Sequence, residues 1–388
     1  MHLKSVCFLI AITLLLMPIQ AAAADTGLFR ESVQNQLAEL ELGDLLRFGE
    51  LLEVEYQDFI PSLNWRELTG GGAGGPGLKQ LLMVLLGRFL HEIRLSLHLL
   101  RQLVVIGILA ALLQRLSSSF GSKAVLDLAF AVCFLVMAYI GLQSFRLVLA
   151  MAESTVDNMV SFMHSLLPTL SALLMAVGGL TSATIFHPLL WALVSAIAWL
   201  VHYLLFPLIL FGTAFSLVAQ FAVDFPLSRL GGLFRQAVIT LLGAFFIIFS
   251  GFMAVRGAIA PVADGISLRT AKYLTKTLVP LAGGMFADAL EIVVGGSLLI
   301  KNGVGAFGLA VIMFLAATPL LKVWAVVLVY KVVAALLEPI SDRRLVQTLN
   351  NLAVSLTLVF ASLGTVAVMF VITISIVVGL GNLAVFMR

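Results

Sequence analysis

Charge is scarce in this chain of 388 residues: Lys, Arg, Asp and Glu together make 11% of it, against about 25% in soluble domains. That scarcity excludes an ordinary water-soluble globule. It equally excludes a disordered chain, which needs low hydrophobicity and high net charge. Cysteine is nearly missing, with only Cys7 and Cys133. Cys7 lies too early for a lipoprotein cysteine, and Cys133 sits in an apolar run as a small buried hydrophobe. No Walker A, HExxH or GxSxG string occurs, so the common ATPase, zinc-protease and hydrolase readings lack support.

What is present in quantity is apolar sequence, 61% of the residues. It comes in runs, and about 18 or more apolar residues together read as a membrane span. The expected fold is an all-α polytopic membrane protein. The net charge of +3 conceals a cancellation: residues 1–98 carry 7 basic and 11 acidic groups, and residues 99–388 carry 16 and 9.

Residues 1–24 read as a secretory signal peptide. Lys4 lies in the n-region, an apolar stretch runs from Val6 to Met17, and Pro18 breaks it before Ala21–Ala24. The alternative is an uncleaved first span. Residues 25–68 form an exported acidic segment; ten acidic groups stand against Arg30, Arg47 and Arg66, and translocated segments escape retention because Lys and Arg mark the retained loops. Val33, Leu37, Leu40, Leu45, Leu52 and Phe59 recur at roughly helical spacing, as in amphipathic helices. Such a segment is either a cap on the membrane domain or a docking surface for an exported partner. Residues 69–77, rich in glycine, form a hinge. Residues 78–98 mix leucines with Lys79, Arg88, His91, Glu92, Arg94 and His98, which suits an interfacial amphipathic helix.

Residues 99–388 are the multispan domain. Apolar runs occupy about 99–116, 124–144, 159–180, 187–222, 234–254, 279–300, 304–337 and 352–378. Pro188 and Pro207 interrupt one long run, and Pro319 and Lys322 another, so each is read as two short helices, a broken helix or a re-entrant turn. About eight spans are expected, within a range of seven to nine. With residues 25–98 on the non-cytoplasmic side, Arg115 and Lys123 fall in the cytoplasm, as the positive-inside rule requires. Residues 255–278, carrying Arg256, Arg269, Lys272 and Lys276, are then expected there too, leaving Arg229 and Arg235 outside.

Among candidate chemical groups, Asp288 and Glu291 stand three residues apart on one helix face within an apolar run. Intramembrane carboxylates tend to face a bundle interior or a watery path. With Lys322 and Lys331 they are the candidates for a polar membrane path or for helix pairing. The lysines are nine residues apart, half a turn out of phase on a continuous helix, so both cannot face one partner there. Asp127 is the only other acid within an apolar run and lies near its end. His164, His187 and His202 have no second ligand at i+3 or i+4 and read as interfacial histidines. Gly303–Gly308 matches GxGxxG as a string, yet it joins apolar segments and the next acid is Glu338; a tight turn or a close helix contact fits better than a dinucleotide site. Glycine pairs at 178–179, 231–232, 283–284 and 295–296 mark hinges or close helix approach. No catalytic, cofactor-binding or metal-binding residue is assigned, and enzyme activity is not expected.

The order and spacing of several strings resemble the stage III sporulation protein AE family of endospore-forming bacteria. They are His164-Ser-Leu-Leu-Pro168 with Gly178-Gly179; Pro261 with Asp264-Gly265 and Arg269-Thr-Ala-Lys272; Gly295-Gly296 to Lys301-Asn302-Gly303; Thr318-Pro319-Leu-Leu-Lys322; and Tyr330-Lys331 with Glu338-Pro339-Ile-Ser-Asp342. The similarity covers roughly 120–388 and is looser over 25–98. It implies a multi-pass protein of the mother-cell membrane engulfing the forespore, within a channel or export-like complex of endospore formation. The implied partners are the other stage III sporulation A-operon membrane proteins, stage III sporulation protein AH and stage II sporulation protein Q in the intermembrane space, and membrane lipid, with no nucleic acid. A structural or channel-forming subunit is one expectation. A permease-like transporter subunit, with Asp288 and Glu291 lining a solute path, is the other.

Overall fold

A backbone in lipid must satisfy every N–H and C=O internally, and a chain this apolar does so with helices. The computed structural model describes residues 78–117, 123–221, 228–278 and 283–386. The signal-peptide, exported-segment and hinge expectations (1–24, 25–68 and 69–77) lie outside the described residues. The described elements are α1 (Leu78–Ser117), α2 (Lys123–Ala176), α3 (Leu180–Leu200), a π-turn (Val201–Leu205), α4 (Phe206–Phe221), α5 (Ser228–Leu278), α6 (Gly283–Leu337) and α7 (Arg343–Phe386). No strand occurs among the described residues.

Among the described residues six helices are long and apolar enough to cross a membrane, where the sequence has eight apolar runs. The difference is continuity. Runs 124–144 and 159–180 belong to α2, because the segment between them, Phe145 to Asn158, contains neither Gly nor Pro and is rich in helix formers. Runs 279–300 and 304–337 join as α6, so the Gly303–Gly308 string is helical rather than a turn. Residues 78–98 run without a break into 99–116 as α1, whose apolar stretch Leu85–Arg115 is long enough to cross. Two of the charges in 78–98 meet locally: Arg88 lies 3.7 Å from Glu92 one turn on, and Glu92 is buried.

The interrupted run 187–222 is a helix with a defect. Val201–Leu205 widens to a π-turn, and the N–H of Phe206 bonds to the carbonyl of Val201. Pro207 has no N–H and its ring crowds the carbonyl four residues back, which the wider turn accommodates. Pro168, Pro188 and Pro319 sit inside helices that continue through them. Between α2 and α3 the chain reverses at Gly178, whose φ of 96° lies in the left-handed region that glycine adopts without strain.

Successive helices run up and down. Tyr330 of α6 meets Gly141 and Ser144 of α2, while Gly308 of α6 meets Leu166 of α2 and Ile374 of α7. On α5, Arg235 reaches Asn351 and Gly257 abuts Ile376, so α5 and α7 are parallel. α7 is central: 50% of its apolar stretch is buried, against 17% for α5. At one end of the bundle α1, α4 and α6 finish and α2, α5 and α7 begin; at the other α2 and α5 finish and α3 and α6 begin. Residues 255–278 continue α5 to that second end, instead of forming a loop on the side of 115–123. Joining two runs into α2 removes one reversal and flips the assignments made for Arg229, Arg235 and 255–278.

Candidate functional site

The four residues singled out as a polar path do not converge within one chain. Asp288 and Glu291 fall in the first turns of α6, and their side chains lie outside the described ones. Lys322 and Lys331 are on the same helix and exposed. From Glu291 to Lys322 is 31 residues, about 46 Å at 1.5 Å per residue, and Lys331 is farther still. Pairing of these acids with these lysines inside one chain is therefore excluded by the continuity of α6.

The polar groups that the fold does bring together tie helix to helix. Lys301 is fully buried on α6, and its Nζ donates to the carbonyl of Val378 on α7 at 2.8 Å. The approach is close because Gly305, one turn on, leaves no side chain: a Cβ there would run into Val378 Cγ2. Tyr330, also fully buried, sends its hydroxyl toward Gly141 O at 3.0 Å and Ser144 Oγ at 2.9 Å. Arg235 Nη2 donates to Ser216 Oγ, Asn351 O and Asn351 Oδ1 at 3.2–3.3 Å, joining α4, α5 and α7. Rather than lying in an exterior loop, Arg235 is half-buried in the bundle.

Asp264, buried on α5, takes over a cap that α3 lacks. Gly179 precedes α3 and offers no side-chain acceptor, so three residues on the N–H of Ser182 donates to Asp264 Oδ1 at 3.1 Å. A carboxylate at a helix N-terminus also opposes the positive end of the helix dipole. Asp264 Oδ2, Asn302 Oδ1 and Asn382 Oδ1 are buried with no hydrogen-bond partner among the described residues.

His164, His187 and His202 fall on the seam between α2 and the α3–π-turn segment. His202 Nε2 lies 2.9 Å from Asp157 Oδ1, His164 stacks on Trp191 at 4.9 Å, and Ser171 Oγ lies 3.3 Å from His187 Nδ1. The α2 members, at 157, 164 and 171, are seven residues apart, two turns each, so they share a face. Among the described residues no three His, Cys, Asp or Glu gather as a metal-ligand set.

Asp157 was missed because the polar stretch 153–158 separates two apolar runs and so reads as a loop. Lys301, Asp264 and Tyr330 had been noted only as members of family-like strings. The sequence signal for Lys301 is its position inside an unbroken apolar stretch, Val293–Leu337. The arrangement holds a membrane bundle together with a few buried polar contacts.

Comparison with known proteins places the chain. A family model described as Stage III sporulation protein AE (spore_III_AE) matches residues 67–381. Stage III sporulation protein AE of Bacillus subtilis (strain 168) is 32% identical over 355 residues, covering 90% of this chain and 88% of that protein. No solved structure matches.

Proposed function

The chain belongs to the stage III sporulation protein AE family, and from that membership we propose that it is an integral membrane subunit, structural or channel-forming, of the mother cell–forespore complex of endospore formation. It is a sporulation membrane protein with six helices apolar enough to cross. The observation that carries the reading is the overlap of the two: the family match spans 67–381, and all six apolar helices lie within it. Its place is the mother-cell membrane around the forespore. Its partners are the other membrane proteins of the stage III sporulation A operon, with stage III sporulation protein AH and stage II sporulation protein Q in the intermembrane space.

Orientation follows from charge. The end where α1, α4 and α6 finish and α2, α5 and α7 begin carries Arg115, Lys123, Arg229, Arg343 and Arg344, and by the positive-inside rule it is taken as cytoplasmic, with Arg269, Lys272 and Lys276 of the last turns of α5 toward the other end. Arg229 then no longer lies outside. If each apolar helix crosses once, the acidic segment 25–68 falls on the non-cytoplasmic side, after cleavage of residues 1–24.

The test is expression of the full chain, tagged, in Bacillus subtilis lacking its own stage III sporulation protein AE. The expected result is restored heat-resistant spores, with the operon's other membrane proteins copurifying. Normal membrane levels without restored spores or copurification would overturn the reading. In the same strain, Asp288→Asn with Glu291→Gln is expected to leave sporulation intact once assembly is confirmed; normal assembly with lost sporulation would favour a carboxylate-lined solute path instead.

A further inference from the structure

The exposed side of α2, which at Asp157 borders the seam with the π-turn, changes character halfway along. Up to Leu147 its exposed residues include Leu128, Leu135 and Tyr139, as lipid contact requires. Beyond Leu147 no large hydrophobic residue is exposed until Met175. In between, Ala150, Ser154, Asp157, Asn158 and Ser161 are exposed, with Arg146 just before them and Glu153 half-buried beside them. The recurrence at three and four residues makes them one stripe. Asp157 is 65% exposed; His202 sits 2.9 Å from its Oδ1.

Printed contacts across the bundle show that this level belongs to the apolar slab. Gly141 meets Leu352, and Leu166 and Ile374 converge on Gly308, which sets α7 against α2. Arg235 on Asn351 and Gly257 on Ile376 set α5 against α7. Interpolating along these helices at equal rise puts Ile247 and Ile248 of α5 level with Thr155 and Val156 of α2, between Glu153 and Asp157. Those isoleucines are 71% and 69% exposed. At one depth, therefore, α5 presents a surface made for lipid while α2 presents carboxylate and amide. Lipid covers the first, and the second needs a polar or charged neighbour.

The same register identifies a fitting cation. Tyr330 against Gly141 and Ser144, and Gly308 against Leu166, place the exposed Lys322 of α6 level with Met151–Ala152 of α2. That is within a turn of Glu153 and about 9 Å short of Asp157 along the axis. Lys322 and Asp157 of one chain form no ion pair. Lys331 is half a turn out of phase, so a neighbour facing Lys322 does not face it. Copies related by rotation about the membrane normal keep every residue at its depth, so a second copy delivers its own lysine to the acidic level of the stripe.

We propose that this protein self-associates in the membrane, the polar stripe of α2 in one copy packing on the Lys322 face of α6 in the next. Asp157, Glu153 and Asn158 meet the neighbour's ammonium instead of lipid, and the small residues Ala150, Ser154 and Ser161 let the helices come close. Buried partner contacts, not lipid, then cover the only face of α2 unsuited to hydrocarbon. The inference stands on the surface of the bundle and does not depend on the sporulation role.

Disulfide trapping with the full chain in native membranes tests it, in a Cys7→Ser, Cys133→Ser background. Chains carrying Ala150→Cys, on the stripe at the level of Lys322, and Lys322→Cys, coexpressed and oxidised, are expected to form a covalent mixed dimer. Ile247→Cys with Lys322→Cys, the lipid-facing control, is expected to form none. The wild-type protein in lipid nanodiscs should have the mass of two or more copies. Asp157→Lys should reduce it to one copy, with association recovered on mixing with Lys322→Asp. A single-copy mass for the wild type, or mixed-pair trapping no greater than the Ile247 control, would overturn the proposal. So would trapping of Ala150→Cys solely to a different protein. The trapping and the wild-type mass decide even if the charge-reversed chains fail to fold.

Discussion

Asp264 Oδ1 accepts the backbone N–H of Ser182 at 3.1 Å, so a carboxylate 82 residues away caps the helix that begins at Leu180. Loss of an N-cap acceptor costs about 0.5–2 kcal/mol. Asp264→Ala is expected to destabilise the purified protein by that amount, and Asp264→Asn by less, since the amide oxygen still accepts. Thermal unfolding of both variants in one lipid or detergent environment checks the order; equal losses would show that the charge, not the acceptor, matters.

Lys301 is buried with its ammonium bonded to one backbone carbonyl, which is already part of a helix. Exchanging buried ionic groups for well-packed apolar residues of similar volume is often neutral or stabilising. Lys301→Met is therefore expected to be at least as stable as the wild type, whereas Lys301→Ala, which removes the stem as well, should lose about 2–5 kcal/mol. Chemical denaturation separates the two. A Lys301→Met loss comparable to that of Lys301→Ala would mean that the ammonium has a counter-charge.

Tyr330→Phe keeps the ring and removes the hydroxyl that lies between Gly141 O and Ser144 Oγ. A net intramolecular hydrogen bond contributes about 0.5–1.5 kcal/mol, and a buried acceptor left unpaired adds to the loss. The expected destabilisation is about 1–2 kcal/mol, read from the shift in unfolding midpoint, and the Ser144→Ala, Tyr330→Phe double variant should lose less than the sum of the singles.

Glycines in helices here divide into two kinds. A Cβ at Gly305 would strike Val378, whose branched, partly buried side chain packs against the core, so Gly305→Ala is expected to destabilise by about 1–3 kcal/mol. Nothing lies within 4 Å of a Cβ at Gly243, and Gly243→Ala should stabilise by about 0.5–1 kcal/mol through helix propensity. Opposite signs in the same unfolding measurement check the packing of α6 on α7.

Much of this was legible in the chain. Scarce charge and long apolar runs establish an all-helical membrane protein, because lipid leaves the backbone no other spanning form than helix or closed barrel. The reading failed at the joints. Glu153, Asp157 and Asn158 look like a loop between spans, yet they lie within α2, because helix formers propagate the helix whatever their polarity. The Gly303–Gly308 string, open between a tight turn and a close helix contact, is the second: it is helical, and Val378 and Leu166 fill the space that its glycines leave. Local composition carries no record of the neighbour that makes such a segment worth folding.

By itself, then, the sequence determined the solvent the chain folds in, its helical class and its family: these depend on composition and on the order of residues. The tertiary structure alone decided how many helices those runs make, which end each loop occupies, and which polar groups meet. Asp264 with Ser182, Lys301 with Val378 and Tyr330 with Ser144 are separated by 82, 77 and 186 residues. Such pairs are set by the register of packed helices, a property of three-dimensional fit that no single stretch of sequence contains.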